Sequence, residues 1–153
     1  MNSLEKLLAC AGVWHGTNLL QVSPDCAADE SPSTVTVTPL LGGRFVRIEQ
    51  NWAWQGSPQE GSLLIGYGSD SNTATGHWID SFHNGHKVMA CRGAIDLGGA
   101  VNVLGGYAAP PGPDWGWRIT IAPQPPNRLD IVMYNIDPSG NEVWAVKAEH
   151  TPG

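Results

Sequence analysis

Positive charge is scarce in this chain. Eight Lys and Arg stand against 14 Asp and Glu, for a net charge of −6. So few cations cannot neutralise a run of phosphates, which excludes nucleic acid as the main partner. Charged residues of both signs make up only 14% of the sequence, so Ser, Thr, Asn and Gln must carry much of the polar surface. Cysteine is sparse too. Cys10, Cys26 and Cys91 are odd in number and lack CxxC spacing, which excludes a disulfide framework and a zinc site. A reducing, cytoplasmic setting is the simpler expectation. No apolar run approaches the roughly 18 residues of a membrane helix, so no membrane partner is expected. Leu7-Leu8-Ala9-Cys10 has the look of a lipoprotein cleavage box. The segment before it is too short for an apolar signal core and contains Glu5 and Lys6, so we reject that reading. Alternation of strands with helices is also missing, which argues against a parallel sheet.

What the chain has instead is Gly, Pro and Trp: 19, 12 and seven, against two Phe, in 153 residues. That is the composition of many turns and short strands in one domain, residues 1–153, long enough for a sizeable core. Ser3 to Ala11 is the one helical pattern. Leu4, Leu7 and Leu8 share a face, Ser3 can cap the start, and Gly12 can end it. Such a helix ahead of an all-β chain suits the cover of an open barrel end.

The strands then follow in order. Gly12 to Val22 places Trp14, Gly16, Asn18 and Leu20 on one face. Ser23 to Ser33 is polar and proline-bounded and reads as a loop holding an exposed Cys26. Ser33 to Leu40 and Arg44 to Gln55 form a hairpin across Gly42-Gly43, pairing Val35 with Gln50, Val37 with Ile48 and Pro39 with Val46. Its inner face carries Gln50, Trp52 and Trp54; Arg47 and Glu49 lie outside. Gly56 to Gln59 reads as a turn and Gly61 to Tyr67 as a strand, followed by a polar loop at Gly68 to Thr73. His77 to Arg92 reads as a hairpin about Asn84-Gly85, with Trp78 opposite Cys91 and Asp80 opposite Met89. That register places Trp78, Asp80, Phe82, Met89, Cys91 and the stem of Lys87 inside, and His77, Ile79, Ser81, His83 and His86 outside. Ala94 to Ala108 is a strand pair about Gly98-Gly99. Trp115, Trp117, Ile119 and Ile121 line one face of a further strand. Leu129 to Ile136 and Glu142 to His150 form the last hairpin, with two registers open. Both put Trp144, Val146, Ala148 and His150 on one face.

About ten short, sequentially connected strands with one helix specify an all-β protein. An antiparallel up-and-down barrel that closes on itself removes the sheet edges. A sandwich is the alternative.

Several motifs, in order, point to a family. Gly12-Val13-Trp14-His15-Gly16 resembles the GxWxG opening of calycin barrels. Leu41-Gly42-Gly43-Arg44-Phe45 resembles the LGGRF element of the bacterial DUF1579 family. Gly61 to Tyr67 and Gly76-His77-Trp78-Ile79-Asp80-Ser81 resemble its glycine-rich strand and W-x-D-S strand. The resemblance spans Leu8 to Arg92 and implies a lipocalin-like barrel, distantly like nitrobindins, of uncharacterised function. Asn18 and Leu20 stand where the nitrobindin glycine repeat would have small residues, which counts against haem.

The inward set Asn18, Gln50, Trp52, Trp54, Trp78, Asp80, Met89, Trp117, Trp144 and His150 is the candidate ligand site. Aromatic walls with a few polar groups describe a pocket for a small apolar or aromatic molecule; they also describe a filled core. Trp14 reads as a structural plug. Asp80 reads two ways. It is a ligand anchor or acid–base group, or a carboxylate held by backbone amides, Lys87, Arg92 or Arg118. His77, His83 and His86 read as turn histidines and not as a metal site. His150 would be the acid–base group of an enzyme or, alternatively, the ligand of a haem. A filled barrel acting in protein interaction, as a homodimer, is the remaining reading.

Overall fold

The computed structural model describes residues 4–153. The described residues form one α-helix, α1 (Glu5–Leu8), a short 3-10 turn at Leu41–Gly43, and ten strands: β1 (Gly12–Leu20), β2 (Asp29–Leu40), β3 (Phe45–Trp54), β4 (Ser57–Gly68), β5 (Thr73–Asp80), β6 (Met89–Ile95), β7 (Val101–Tyr107), β8 (Trp115–Gln124), β9 (Arg128–Ile136) and β10 (Glu142–Pro152). Each strand pairs antiparallel with its sequence neighbours, and β1 pairs with both β2 and β10. The sheet is therefore a closed barrel without an edge, and the sandwich alternative is excluded. Among the described residues no helix is long and apolar enough to cross a membrane.

The β2–β3 hairpin has the expected register, with Val37 opposite Ile48 and Val35 opposite Gln50. Val35, Val37, Val46 and Ile48 are all buried, the outcome of strict alternation with polar partners. The turn between β3 and β4 comes earlier than expected. It is Gln55-Gly56, both at positive φ (48° and 81°), between the paired Trp54 and Ser57. Two such residues give the turn whose twist matches the flanking strands.

Three other expectations change. Residues 29–33 belong to β2, not to a loop. Pro32 pairs with Thr17, and Ser31 and Ser33 point inward and are buried. Their hydroxyls are satisfied inside the barrel: Ser31 Oγ accepts from the Ala53 amide at 3.0 Å, and Ser33 Oγ meets His150 Nε2 at 2.8 Å. A polar run can therefore be an interior strand. The Asn84-Gly85 dipeptide does not join two strands directly. It lies within the connection between Asp80 and Met89, and Trp78 pairs with Met89, not Cys91. The slip is two residues, so both faces survive: Trp78, Met89 and Cys91 are buried and His77 and Ile79 face out. Lys87 leaves the sheet and is exposed. The last hairpin has the five-residue connection 137–141, and a bulge between Trp144 and Val146. The bulge breaks the alternation, so Ala145 is buried while Trp144 turns outward under the Lys147 ammonium, 4.4 Å from its ring.

The two ends of the barrel differ. At one, α1 lies beside the turns at Gly43 and Gly99, which approach Leu8 and Lys6. Leu4 and Leu7 are buried in the core. Trp14 is buried beneath the helix and donates its indole N–H to the Cys10 carbonyl at 2.8 Å, as expected of a plug. Ser3, the expected cap, lies outside the described residues. The other end is ringed by the connections 21–28, 55–56, 81–88, 108–114 and 137–141.

Candidate functional site

The inward residues of the barrel form layers between its two ends. Going away from α1, Trp14 is followed by Gly16 beside His150, then Asn18 beside Ala148, then Leu20 beside Val146. The first of these layers is closed. His150 is 1% exposed; its Nδ1 meets the Leu129 carbonyl at 3.2 Å and its Nε2 meets Ser33 Oγ at 2.8 Å. The Leu129 contact makes Nδ1 the protonated nitrogen, leaving Nε2 to accept from the Ser33 hydroxyl. Burial pushes the imidazole pKa below its usual range, against the opposing influence of the Leu129 hydrogen bond.

Above that layer Gln50 Nε2 donates to Asn18 Oδ1 at 3.0 Å, both side chains being buried. This polar pair forms the floor of a cavity of about 120 Å3. Trp52 of β3, Trp78 of β5 and Trp117 of β8 form its walls with Leu20, Met133 and Val146. The connections at the open end bring in Val22, Phe82 and His83. Gly61 makes one wall possible. A Cβ at that position would lie 2.2 Å from Trp78 Cη2, so the indole occupies space that only glycine leaves free.

Asp80 also borders the cavity, but its oxygens are already in use. Oδ2 accepts from Trp78 Nε1 at 2.6 Å, and Oδ1 accepts from the backbone amides of Phe82, His83 and Asn84. Four N–H groups thus converge on one carboxylate, which fixes the wall indole and the start of the 81–88 connection together. None of Lys87, Arg92 or Arg118 is its partner. Asp80 therefore holds the site's shape, and the amide-bound reading of it is the one observed. No second ionisable side chain hydrogen-bonds to Asp80 or His150 among the described residues, so neither has an acid–base pair.

His83 is placed differently from expectation. Its ring stacks on Trp117 at 5.5 Å and 21°, and meets Tyr107 edge-on at 4.5 Å. Tyr107 in turn donates its hydroxyl to Asn135 Oδ1, another cavity residue. The connection folds back over the barrel mouth after the Asp80 cap, so His83 is exposed in a turn, as expected, but borders the cavity instead of lying on the outer face of a hairpin.

Of the ten expected site residues, six meet at the cavity: Asn18, Gln50, Trp52, Trp78, Asp80 and Trp117. Trp54 packs edge-on against Phe82 at 5.6 Å, behind the wall. Met89 is buried in the core beside Gly105 and Cys91. Trp144 is on the outside, and His150 lies one layer below. Sequence reasoning missed Met133 and Asn135 because the register of β9 was open, and Ala145 because of the bulge.

Three donors in the cavity residues have no acceptor. Asn18 Nδ2, Trp52 Nε1 and Trp117 Nε1 are closed off from solvent and unpartnered. Haem does not fit this arrangement. His150, the expected haem ligand, has both ring nitrogens engaged and does not border the cavity. Among the described residues no three His, Cys, Asp or Glu side chains come together to hold a metal.

No curated protein matches this sequence. Among solved structures, the crystal structure of Rv2717c from M. tuberculosis is similar over 100% of this chain and 98% of its own, with a TM-score of 0.67 at 12% identity. That likeness is one of fold. The family model described as protein of unknown function, DUF1579, matches residues 3–151, nearly the whole of the barrel and its helix, and the chain belongs to that family.

Proposed function

We infer that this barrel binds a small, mostly apolar molecule in the cavity at the end opposite α1. The observation that supports it is the unfilled space itself, about 120 Å3 between the indoles of Trp52, Trp78 and Trp117. Protein interiors pack to the density of organic crystals, so an aromatic-walled void of this size is a loss of contacts unless something occupies it. It matches the space that accepts one benzene-sized ring in an engineered cavity of roughly 150 Å3. Its position among the connections of the open end, over a floor formed by Asn18 and Gln50, suits entry from one side and orientation from the other.

The test is native mass spectrometry of protein purified from its own host, paired with a thermal-shift screen of small aromatic compounds. We expect an added mass that Trp78→Ala releases, or stabilisation by members of the screen. A clean apo mass with no stabilising compound would sink the binding reading and favour a filled barrel that works through its surface.

A further inference from the structure

We propose that the ligand site has two chambers and takes an elongated, neutral molecule, with a ring in the Trp-walled cavity and an apolar extension running towards the barrel mouth; this rests on the binding reading above.

A second hollow, of about 180 Å3, adjoins the cavity. Gln21, Val22, Asn135 and Ala145 border both spaces. The strand register shows how they connect. Trp117, a wall of the cavity, faces Asn135 of β9, and Asn135 faces Val143 of β10, a wall of the second hollow. One row of the barrel thus passes from the first space into the second. Trp115 is the next residue of β8 on the Trp117 face, about 6–7 Å nearer the mouth. It borders only the second hollow.

The β10 bulge shapes the junction. Ala145 is the extra residue and has no partner on β9. It puts a single methyl group between the two spaces. Bulges re-aim side chains beside functional sites. Gln21 ties this one down: its backbone N–H donates to the Ala145 carbonyl at 2.8 Å, and its Nε2 donates to the Trp144 carbonyl at 3.0 Å.

The lining selects an apolar extension. Pro24, Trp115 and Val143 supply apolar surface. The polar residues there are turned to one another: Asn141 donates its backbone and side-chain N–H groups to Asp137, and Ser23 donates to Cys26 Sγ. Water in such a space finds few partners, and a chain continuing from a ring in the cavity displaces it favourably. Charge sets the other limit. No Lys or Arg borders either space, whereas the Asp80 and Asp137 carboxylates do. An anionic end group would find repulsion and no cation. A cationic one would find carboxylate oxygens already bonded to N–H groups.

Benzyl alcohol, phenylbutanol and phenylbutyrate separate these terms. The readouts are dissociation constants from calorimetry and the indole N–H signals in 1H–15N spectra, assigned by single Trp→Phe substitutions. Both alcohols should move the Trp52 and Trp117 signals, and only phenylbutanol should move Trp115. Each buried methylene is worth about fourfold in affinity, so the three added ones should tighten binding on the order of 50-fold. Val143→Phe, which fills the second hollow, should remove most of that gain. Phenylbutyrate should bind at least about threefold more weakly than phenylbutanol, from partly screened repulsion. If phenylbutanol binds no tighter than benzyl alcohol, or leaves Trp115 unmoved, the second chamber is overturned while the binding reading stands. A gain that survives Val143→Phe overturns it too, and phenylbutyrate binding as tightly as phenylbutanol overturns the neutral class. If no compound moves an indole signal of the cavity wall, the binding reading fails and the two-chamber site with it.

Discussion

The indole N–H of Trp78 donates to Oδ2 of Asp80 at 2.6 Å, two residues further along the same strand. Both side chains point inward from β5, so a cavity wall is tied directly to the residue that ends the strand. The other carboxylate oxygen accepts three successive loop amides. Asp80→Asn keeps the shape but sets an amide N–H against one of these donors. We expect a loss of about 1–3 kcal/mol in denaturant unfolding, together with an upfield move of the Trp78 indole N–H. Unchanged stability with lost ligand binding would instead make Asp80 a ligand anchor.

Gly61 provides the second test of the same wall. Its absent side chain is where the Trp78 ring sits, and the Asp80 bond leaves that ring little freedom to retreat. Gly61→Val should therefore behave as overpacking, at about 1–3 kcal/mol, and should also reshape the cavity. The check is a melting curve alongside the Trp fluorescence spectrum. A variant as stable as the parent, with unshifted emission, would mean that Trp78 is not held where the hydrogen bond places it.

These two residues also show where the sequence was legible and where it was not. Inward and outward faces follow from period-two alternation, so Val35, Val37, Ile48, Trp78 and Trp117 are correctly inside. A register error of two residues, as in β5–β6, leaves every face intact. One of an odd number does not, and the β10 bulge has that effect on Trp144. Nothing in Glu142 to His150 marks Ala145 as the extra residue. The loop-borne His83 was equally hidden. Its place over Trp117 depends on a chain reversal set by the Asp80 cap, and Asn84-Gly85 gave a competing and simpler account. Residues 29–33 were misread for a different reason: their serines are polar but face partners across the barrel interior. The unpartnered donors are the least legible of all, since a missing partner exists only in three dimensions.

The bulge makes a prediction that contrasts two tryptophans. Trp78→Ala removes a buried wall residue, 4% exposed, and should cost about 3–5 kcal/mol. Trp144→Ala removes an outward ring whose main specific contact is the Lys147 ammonium. It should cost only about 1 kcal/mol, the scale of an exposed cation–π pair and partial packing. Urea unfolding of the two variants side by side decides the matter. Equal losses would show that Trp144 lies inside and that β10 runs without its bulge.

His150 gives the barrel an acid sensitivity whose direction is fixed. In the unfolded chain its imidazole takes up a proton near pH 6.5. In the folded protein burial pushes that pKa lower, against the Leu129 hydrogen bond, which favours the protonated ring. The nearby Asp130 charge opposes this shift and His15 adds to it. Above pH 6.5 both states are neutral and the group is without pH effect. As pH falls below that value the unfolded state binds the proton first, so folding stability drops by up to about 1.4 kcal/mol per pH unit until the folded pKa is reached. His150→Gln cannot titrate. Relative to the parent, its stability should therefore fall less steeply from neutral pH towards pH 5 in urea titrations. Parallel curves for the two proteins would mean that His150 is protonated as readily in the folded barrel as in the open chain.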